Sequence, residues 1–406
     1  MSWWSPVTAC FDGDAVGSQP SPPAVAIRAL AAAAGCGLAL AAGGIAAKEL
    51  SFKVSLTQRV EQDSNALLSK DHPNATMGSV SSPTVDIKLA GEKTTISVRE
   101  RADIARFADD QALNRTDNHL TARIERRGPR DVVRLEAGLD NQATSAAEAA
   151  DTGRLAPSAR QTLLSLTPTW VRDLTQRNRL ILTASHLQLD YDNPTLTGYT
   201  RQTAQPGLEH RLSPRDTIQA SALYDHFESR SGSHMSDGYG GVLTFTRYLN
   251  QRLTLRSGVG MRWSDSVARG QTRGETNWLA DLGLAYKTLT GTYEASYARS
   301  VDPTGLGDLR TRDDWRLSTS ERLDERTTLS LVARYMEESA GSAGRDDSRR
   351  YLDLMPTLRY RWTEEIEFSS SFRHRWQMYG FDDEPRVSDA LLVSLSWQPL
   401  PWTSGL

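Results

Sequence analysis

Arg350–Gly380 reads RYLDLMPTLRYRWTEEIEFSSSFRHRWQMYG. Leu352, Leu354, Pro356, Leu358, Tyr360 and Trp362 fall on one side of an extended chain, and Tyr351, Asp353, Met355, Thr357, Arg359 and Arg361 on the other. After Thr363-Glu364-Glu365 the alternation resumes. Ile366, Phe368, Phe372, Trp376 and Met378 then share a face, opposite Glu367, Ser369, Ser371, Arg373, Arg375 and Gln377. Period-two alternation of this length predicts two amphipathic strands, and the short polar link makes them a hairpin. Each runs about 11–13 residues, against roughly 5–6 in a soluble sheet and roughly 9–11 for a tilted strand that crosses a bilayer. Tyr360, Trp362 and Trp376 stand near the ends of the apolar face, where amphipathic rings meet headgroups. Arginines line the polar face, where a packed core would need apolar groups. Lipid outside and water inside fit that inversion.

Working outward, the alternation covers the chain from Leu50 onward. Phe52, Val54 and Leu56 oppose Lys53, Ser55 and Thr57; Leu253, Leu255, Val259, Met261 and Trp263 form a later run; Leu391, Val393, Leu395 and Trp397 form the last. The count comes to about eighteen strands, with sixteen to eighteen compatible with the pattern. The stretches at Thr200–Leu212 and Gly238–Tyr248 carry the faintest alternation. Short turns alternate with longer connections such as Glu61–Ser82, Asp140–Ala159, Ser264–Gly274, Val301–Arg312 and Glu337–Arg349. Short turns on one rim and long loops on the other are the outer-membrane pattern, with the turns periplasmic. The expected fold is therefore all-β: a transmembrane, antiparallel, up-and-down barrel over residues 51–406, with both termini periplasmic. Pro83, Pro168, Pro206 and Pro356 each precede a short turn. Proline lacks the ladder donor, so a bulge is expected at each.

Composition agrees. The chain has 406 residues, 38% of them hydrophobic and 24% charged, and its mean hydropathy is -0.49. Half of every barrel strand faces water, so such a protein need not read as hydrophobic. The net charge of -3 gives no reason to expect a nucleic-acid partner. Residues 1–47 read as a leader: Arg28 precedes the apolar run Ala29–Ala42, and small residues follow, with cleavage expected after Ala47. Met1–Pro23 is atypical of a signal peptide and would fit a start further downstream. Cys36 is a faint lipoprotein-like candidate, but the apolar run continues past it. Both cysteines, Cys10 and Cys36, lie in the leader, so the mature chain is expected to hold no disulfide and no thiol nucleophile.

Arg59-Val-Glu-Gln-Asp-Ser-Asn65, the Pro-x-apolar strand openings and the eighteen-strand rhythm together resemble the outer-membrane β-barrel porin family encoded with exopolysaccharide and exosortase systems. The resemblance spans most of Leu50–Leu406 through pattern more than motif. It implies a role in moving polysaccharide across the outer membrane, with polysaccharide and periplasmic export components as partners, and it brings no catalytic residues. The ending departs from it: Trp402 is followed by Thr-Ser-Gly-Leu.

The histidines carry no HExxH motif, and no GxSxG occurs. His226 with Asp225 and His186 with Asp190 are the nearest candidates for a hydrolase site, against the plainer reading of rim histidines. Asp346-Asp347 and Asp382-Asp383-Glu384 cluster oxygens, but without a spaced calcium loop they read as solvated charge. No metal, cofactor or enzymatic activity is expected. The pore-lining candidates are Arg99, Arg123, Arg134, Arg256, Arg262, Arg334, Arg359, Arg361, Arg373 and Arg375, all on the polar side of the alternation. About half are expected to pair with acids on neighbouring strands and stiffen the wall. The surplus would concentrate anions in a water-filled pore. Three function classes follow: passage for an exported anionic polysaccharide; a diffusion porin for small anionic solutes, which a long inward-folding loop, Glu61–Ser82 or Asp140–Ala159, would favour; and a non-transporting scaffold or enzyme.

Overall fold

The computed structural model describes residues 47–150, 159–268, 271–339, 348–382 and 384–405. The expected leader lies outside these residues apart from Ala47, as do Asp346, Asp347 and Asp383. Long strands follow one another in hairpin order: β1 (Ala47–Asp63), β2 (Thr76–Gly91), β3 (Thr94–Phe107), β4 (Arg115–Arg127), β5 (Asp131–Ala143) and β6 (Arg160–Asp173). Next come β7 (Asn178–Tyr191), β8 (Tyr199–Arg211), β9 (Asp216–Ser229), β10 (His234–Tyr248), β11 (Leu253–Ala268) and β12 (Gln271–Lys287). The series ends with β13 (Gly291–Pro303), β14 (Leu309–Arg322), β15 (Thr327–Glu338), β16 (Arg349–Arg361), β17 (Ile366–Tyr379) and β18 (Arg386–Trp397). Every neighbour in sequence is a neighbour in the sheet, always antiparallel. The sheet closes through β1 and β18, from Leu56 opposite Trp397 to Asp63 opposite Ala390. A short β19 (Trp402–Gly405) continues that seam on Glu49–Phe52. The expected eighteen-strand antiparallel barrel is what forms, and the faint stretches are β8 and β10. Closure follows from the chemistry of a lipid-facing sheet, where an open edge would leave backbone groups without partners.

Several strands, such as β1, β2, β11 and β12 at 16–17 residues, exceed the expected length because they outrun the apolar band. β11 and β12 pair continuously from Leu253 opposite Tyr286 to Ala268 opposite Gln271, through most of the stretch expected as a Ser264–Gly274 loop. Beyond the headgroups a strand still needs its ladder but no longer needs an apolar face, so the hydrophobic alternation stops before the hydrogen bonds do.

The outer surface is the apolar side. Phe52, Leu56, Val133, Leu166, Leu243, Val259, Leu282, Leu317, Leu358, Phe372 and Leu395 are all exposed there. Towards the loop rim, aromatic rings on neighbouring strands touch: Tyr224–Tyr239 at 5.3 Å, Tyr297–Trp315 at 5.2 Å and Trp315–Tyr335 at 5.4 Å. Nearer the turn rim, Tyr286 and Tyr293 lie 6.0 Å apart. No described helix is long and apolar enough to cross a membrane.

The prolines do not make bulges. At Pro83 the β2–β3 ladder passes from Ser81–Ile104 to Thr84–Arg101 without losing register. The same skip occurs at Pro168 between β6 and β7, at Pro206 between β8 and β9, and at Pro356 between β16 and β17. On its other side each proline stays in register, opposite Leu56, Leu135, Leu182 and Leu331 respectively. Each proline thus coincides with two missing rungs on one side of its strand, and the register is kept.

Candidate functional site

Three connections at the loop end turn into the lumen. The first, residues 64–75, is shaped by Asn65, which is 3% exposed. Its side-chain amide donates to the carbonyls of Ser69 (2.8 Å) and Val387 (3.0 Å), and its Oδ1 accepts from Ser69 N (2.9 Å). This fold presses Leu68, at a positive φ of 49°, against Met336 of β15 and Tyr351 of β16. The second connection begins with a helical turn at Thr144–Ala147. Glu148 accepts from Tyr191 Oη at 2.7 Å, and the Ala149 carbonyl accepts from Arg349 Nη1 of β16 at 3.1 Å. The third runs from Thr304 to Asp308. Its Gly305 carbonyl accepts from Thr197 N at 2.7 Å, and Arg201 of β8 donates to the Val301 carbonyl at 3.1 Å. β8 and β13, like the 144–150 connection and β16, are far apart around the wall, so these bonds are chords through the interior.

The chords rest on apolar residues that face inward. Leu189, Tyr199 and Phe227 form one buried group, with Leu309 against it; Val80, Ala105, Phe107 and Leu113 form another, against Ala66 and Leu67. Val80 and Leu309 were expected within the Glu61–Ser82 and Val301–Arg312 connections, and the alternation marked none of the others as an inward apolar group. Their signal was an apolar residue on the polar side of a strand end, together with the Leu67-Leu68 doublet in an otherwise polar stretch.

Below the loops lies a cavity of about 510 Å³. Ala66 and Ala149 form part of its roof; Arg59, Asp63, Arg101, Asp103, Arg334, Asp353, Arg373 and Arg375 line its sides. Its charges are closely matched. Asp63 accepts from Arg375 Nη2 and from Ser388 Oγ, both at 2.7 Å. Asp353 accepts from Arg373 Nε at 3.0 Å and from Tyr351 Oη at 3.2 Å. Asp314 holds Arg316 and Arg334, each at 2.7 Å. Outside this cavity, Arg262 and Asp225 make a two-point pair at 2.8 and 2.9 Å, at 2% and 0% exposure. That pair presses on the backbone of β10, where a Cβ on Gly238 would overlap both side chains.

All the pore-lining candidates lie on the inward side of their strands, but they do not form one field. Arg262, Arg334, Arg373 and Arg375 are the paired groups just described. Arg123 and Arg134 converge on Glu125 at 2.9 and 3.0 Å. Arg99 meets Asp86, and Arg256 meets Asp281 at 2.8 Å. Arg359 and Arg361, near the turn rim, are exposed and have no side-chain partner among the described residues. Pairing thus exceeds the expected half, because residues two apart on one strand, or opposite on its neighbour, share the inner face.

The hydrolase candidates are not assembled. Asp225 and His226 sit on opposite faces of β9; His226 bonds Asp237 at 2.9 Å, whereas Asp225 is held by Arg262. Asp190 pairs with Arg230 at 2.8 Å rather than with His186. Asp382 is likewise occupied: Lys70 of the first inward connection donates to it at 2.5 Å, and Arg386 lies 3.5 Å away. The Lys70 bond holds the Asp382 carboxyl below its ordinary range, and the same bond raises the ammonium. Among the described residues no group of His, Cys, Asp and Glu could hold a metal.

No protein-family model matches the chain, and no curated relative does. Solved structures share its outline. Pseudomonas aeruginosa OpdO superposes with a TM-score of 0.48 at 13% identity, over 87% of this chain and 98% of that one. Pseudomonas aeruginosa OpdK, solved with vanillate, gives 0.47 at 10% identity, over 86% of this chain and 99% of that one. The FrpB iron transporter of Neisseria meningitidis gives 0.48 at 10%, over 81% of this chain and 62% of that one. Likenesses of this degree say nothing about what this chain carries.

Proposed function

We propose that this protein is an outer-membrane channel through which small polar solutes diffuse, with a preference for anions. The observation that carries the reading is the set of three inward connections roofing a charged cavity of about 510 Å³. Solute-sized sites fall at roughly 300–1,000 Å³. The matched pairs under the roof form a rigid, polar constriction. The unpaired Arg359 and Arg361 then tilt the balance towards anions, since a narrow pore with low-dielectric walls amplifies a small excess of charge. The exported polysaccharide implied by the family resemblance would need the roof to move aside.

Planar-bilayer recording tests this. The wild-type protein is expected to conduct steadily and to show a reversal potential on the anion side. Replacing residues 66–73 with a short Gly-Ser link should raise conductance and weaken selectivity. Conductance that appears only after this replacement would favour a gated polymer passage. Absence of current from both proteins, correctly folded, would favour a scaffold.

A further inference from the structure

The short-turn rim repeats one local design. Leu174-Thr-Gln-Arg177, Leu212-Ser-Pro-Arg215, Leu249-Asn-Gln-Arg252 and Leu323-Asp-Glu-Arg326 share a spelling. In each, the side-chain oxygen of the second residue accepts two backbone N–H bonds. Thr175 takes Arg177 and Asn178 at 3.2 and 2.9 Å; Ser213 takes Arg215 and Asp216, both at 3.0 Å. Asn250 takes Arg252 and Leu253 at 2.8 and 2.9 Å; Asp324 takes Arg326 and Thr327 at 2.7 and 2.8 Å. Each arginine carbonyl then accepts from the next hairpin: Arg177 from Arg211 N, Arg215 from Tyr248 N, Arg252 from Lys287 N and Arg326 from Arg361 N, all at 2.8–2.9 Å. The carbonyl of Arg130 makes the same link, to Asp173 N at 2.8 Å. Locked turns and turn-to-turn bonds thus set these arginines at equivalent places around one rim, with Thr290 and Glu365 in the same place in two further turns.

Arg130, Arg177, Arg215, Arg252 and Arg326 are exposed, and none makes a side-chain hydrogen bond or ion pair among the described residues. Three residues before four of them, on the outward side, stand Leu174, Leu212, Leu249 and Leu323, each 42–57% exposed. We propose that this rim is a collar for anionic phospholipid headgroups, with the leucines in the acyl boundary and the guanidinium groups on the phosphates. Guanidinium matches phosphate with two parallel donors, and cations beside an anionic leaflet are held by its surface potential. A soluble anionic partner would use the arginines but would leave the leucine step unexplained. The inference rests on the membrane-spanning reading.

The test inserts purified protein into phosphatidylcholine vesicles with and without phosphatidylglycerol, at low salt, and reads bound lipid by native mass spectrometry. Wild type should retain phosphatidylglycerol several-fold over phosphatidylcholine. Replacing Arg177, Arg215, Arg252 and Arg326 together with Gln should abolish that preference while insertion into phosphatidylcholine is unchanged; replacing all four with Lys should keep part of it. No preference in wild type, or full preference in the Gln variant, would overturn the collar. Displacement of the lipid by inorganic phosphate would overturn it too, by making the site one for free anions. Failure of wild type to insert into either vesicle would instead overturn the membrane reading.

Discussion

At the loop end of the lumen Arg262 is 2% exposed and pinned through Nε and Nη2 to Asp225; at the turn end Arg359 and Arg361 stand in solvent with no side-chain partner among the described residues. The same side chain, on the same inner face, serves as rivet in one place and as field source in the other. Burial decides which. A desolvated guanidinium requires a carboxylate, and the pair becomes structure. A hydrated one keeps its charge available to passing ions, screened over a Debye length of about 10 Å at moderate salt.

The sharpest way to break this comparison is to treat the two kinds of arginine alike. Arg262→Leu leaves the buried Asp225 with only the more distant Arg201, at 4.0 Å, and we expect a loss of about 3–5 kcal/mol in urea unfolding. Arg256→Leu removes an arginine that is 59% exposed beside a 44% exposed Asp281, and should cost less than about 1 kcal/mol. Equal damage from the two would erase the distinction. Leu255→Arg, on the outer face of the same strand, should cost roughly 2–4 kcal/mol near the bilayer midplane; heat-modifiable gel mobility and urea unfolding would show it. A neutral result would mean that the inner and outer faces are interchanged. Changing Arg359 and Arg361 to Gln should leave stability within about 0.5 kcal/mol of wild type and shift the reversal potential towards neutral, most at low salt. If Arg373 and Arg375 are changed instead, Asp353 and Asp63 lose their arginine partners, and destabilisation should dominate the phenotype.

The smallest effect concerns pH. The Lys70–Asp382 bond ties the first inward connection to the loop after β17. A lowered carboxylate pKa contributes stability above the ordinary value near 3.9 that is lost as pH falls through the folded value. Lys70, being raised, contributes below its ordinary value and loses that contribution only in strong alkali. Hydrogen exchange of residues 64–75 should therefore be flat across neutral pH and accelerate, beyond the intrinsic trend, below about pH 4. Asp382→Asn should show the faster exchange at neutral pH. Unchanged protection in that variant would remove the tether from the account.

Much of this was legible in the sequence, and the exceptions share a cause. The Leu253–Trp263 run declares its face because lipid selects an apolar residue at every second position. Lipid makes no demand above the headgroups, so the ends of β11 and β12 were read as loop. Same-strand pairs such as Arg123 with Glu125, or Arg316 with Asp314, are visible as spacing-two charges. Arg262 with Asp225 is not, because the pair reaches from β11 to β9 across Gly238 of the strand between them. The inward connections were anticipated only as a possibility of loop length. What seats them, Leu68 on Tyr351 and Arg349 on Ala149, depends on which strands face each other across the lumen, and period-two reading of one strand at a time holds no such information.

The in-register prolines have a mechanical side. Pro83, Pro168, Pro206 and Pro356 each sit where two consecutive rungs are missing between one pair of strands, while the neighbouring pairs stay fully laced. A cylinder built this way is not uniformly stiff. Its lacing is loosened at these four places, and sideways pressure from the bilayer would be taken up in part as small rotations about those lines. Because register is kept at each of them, the strands on either side can lean against one another and return without any strand slipping past its neighbour.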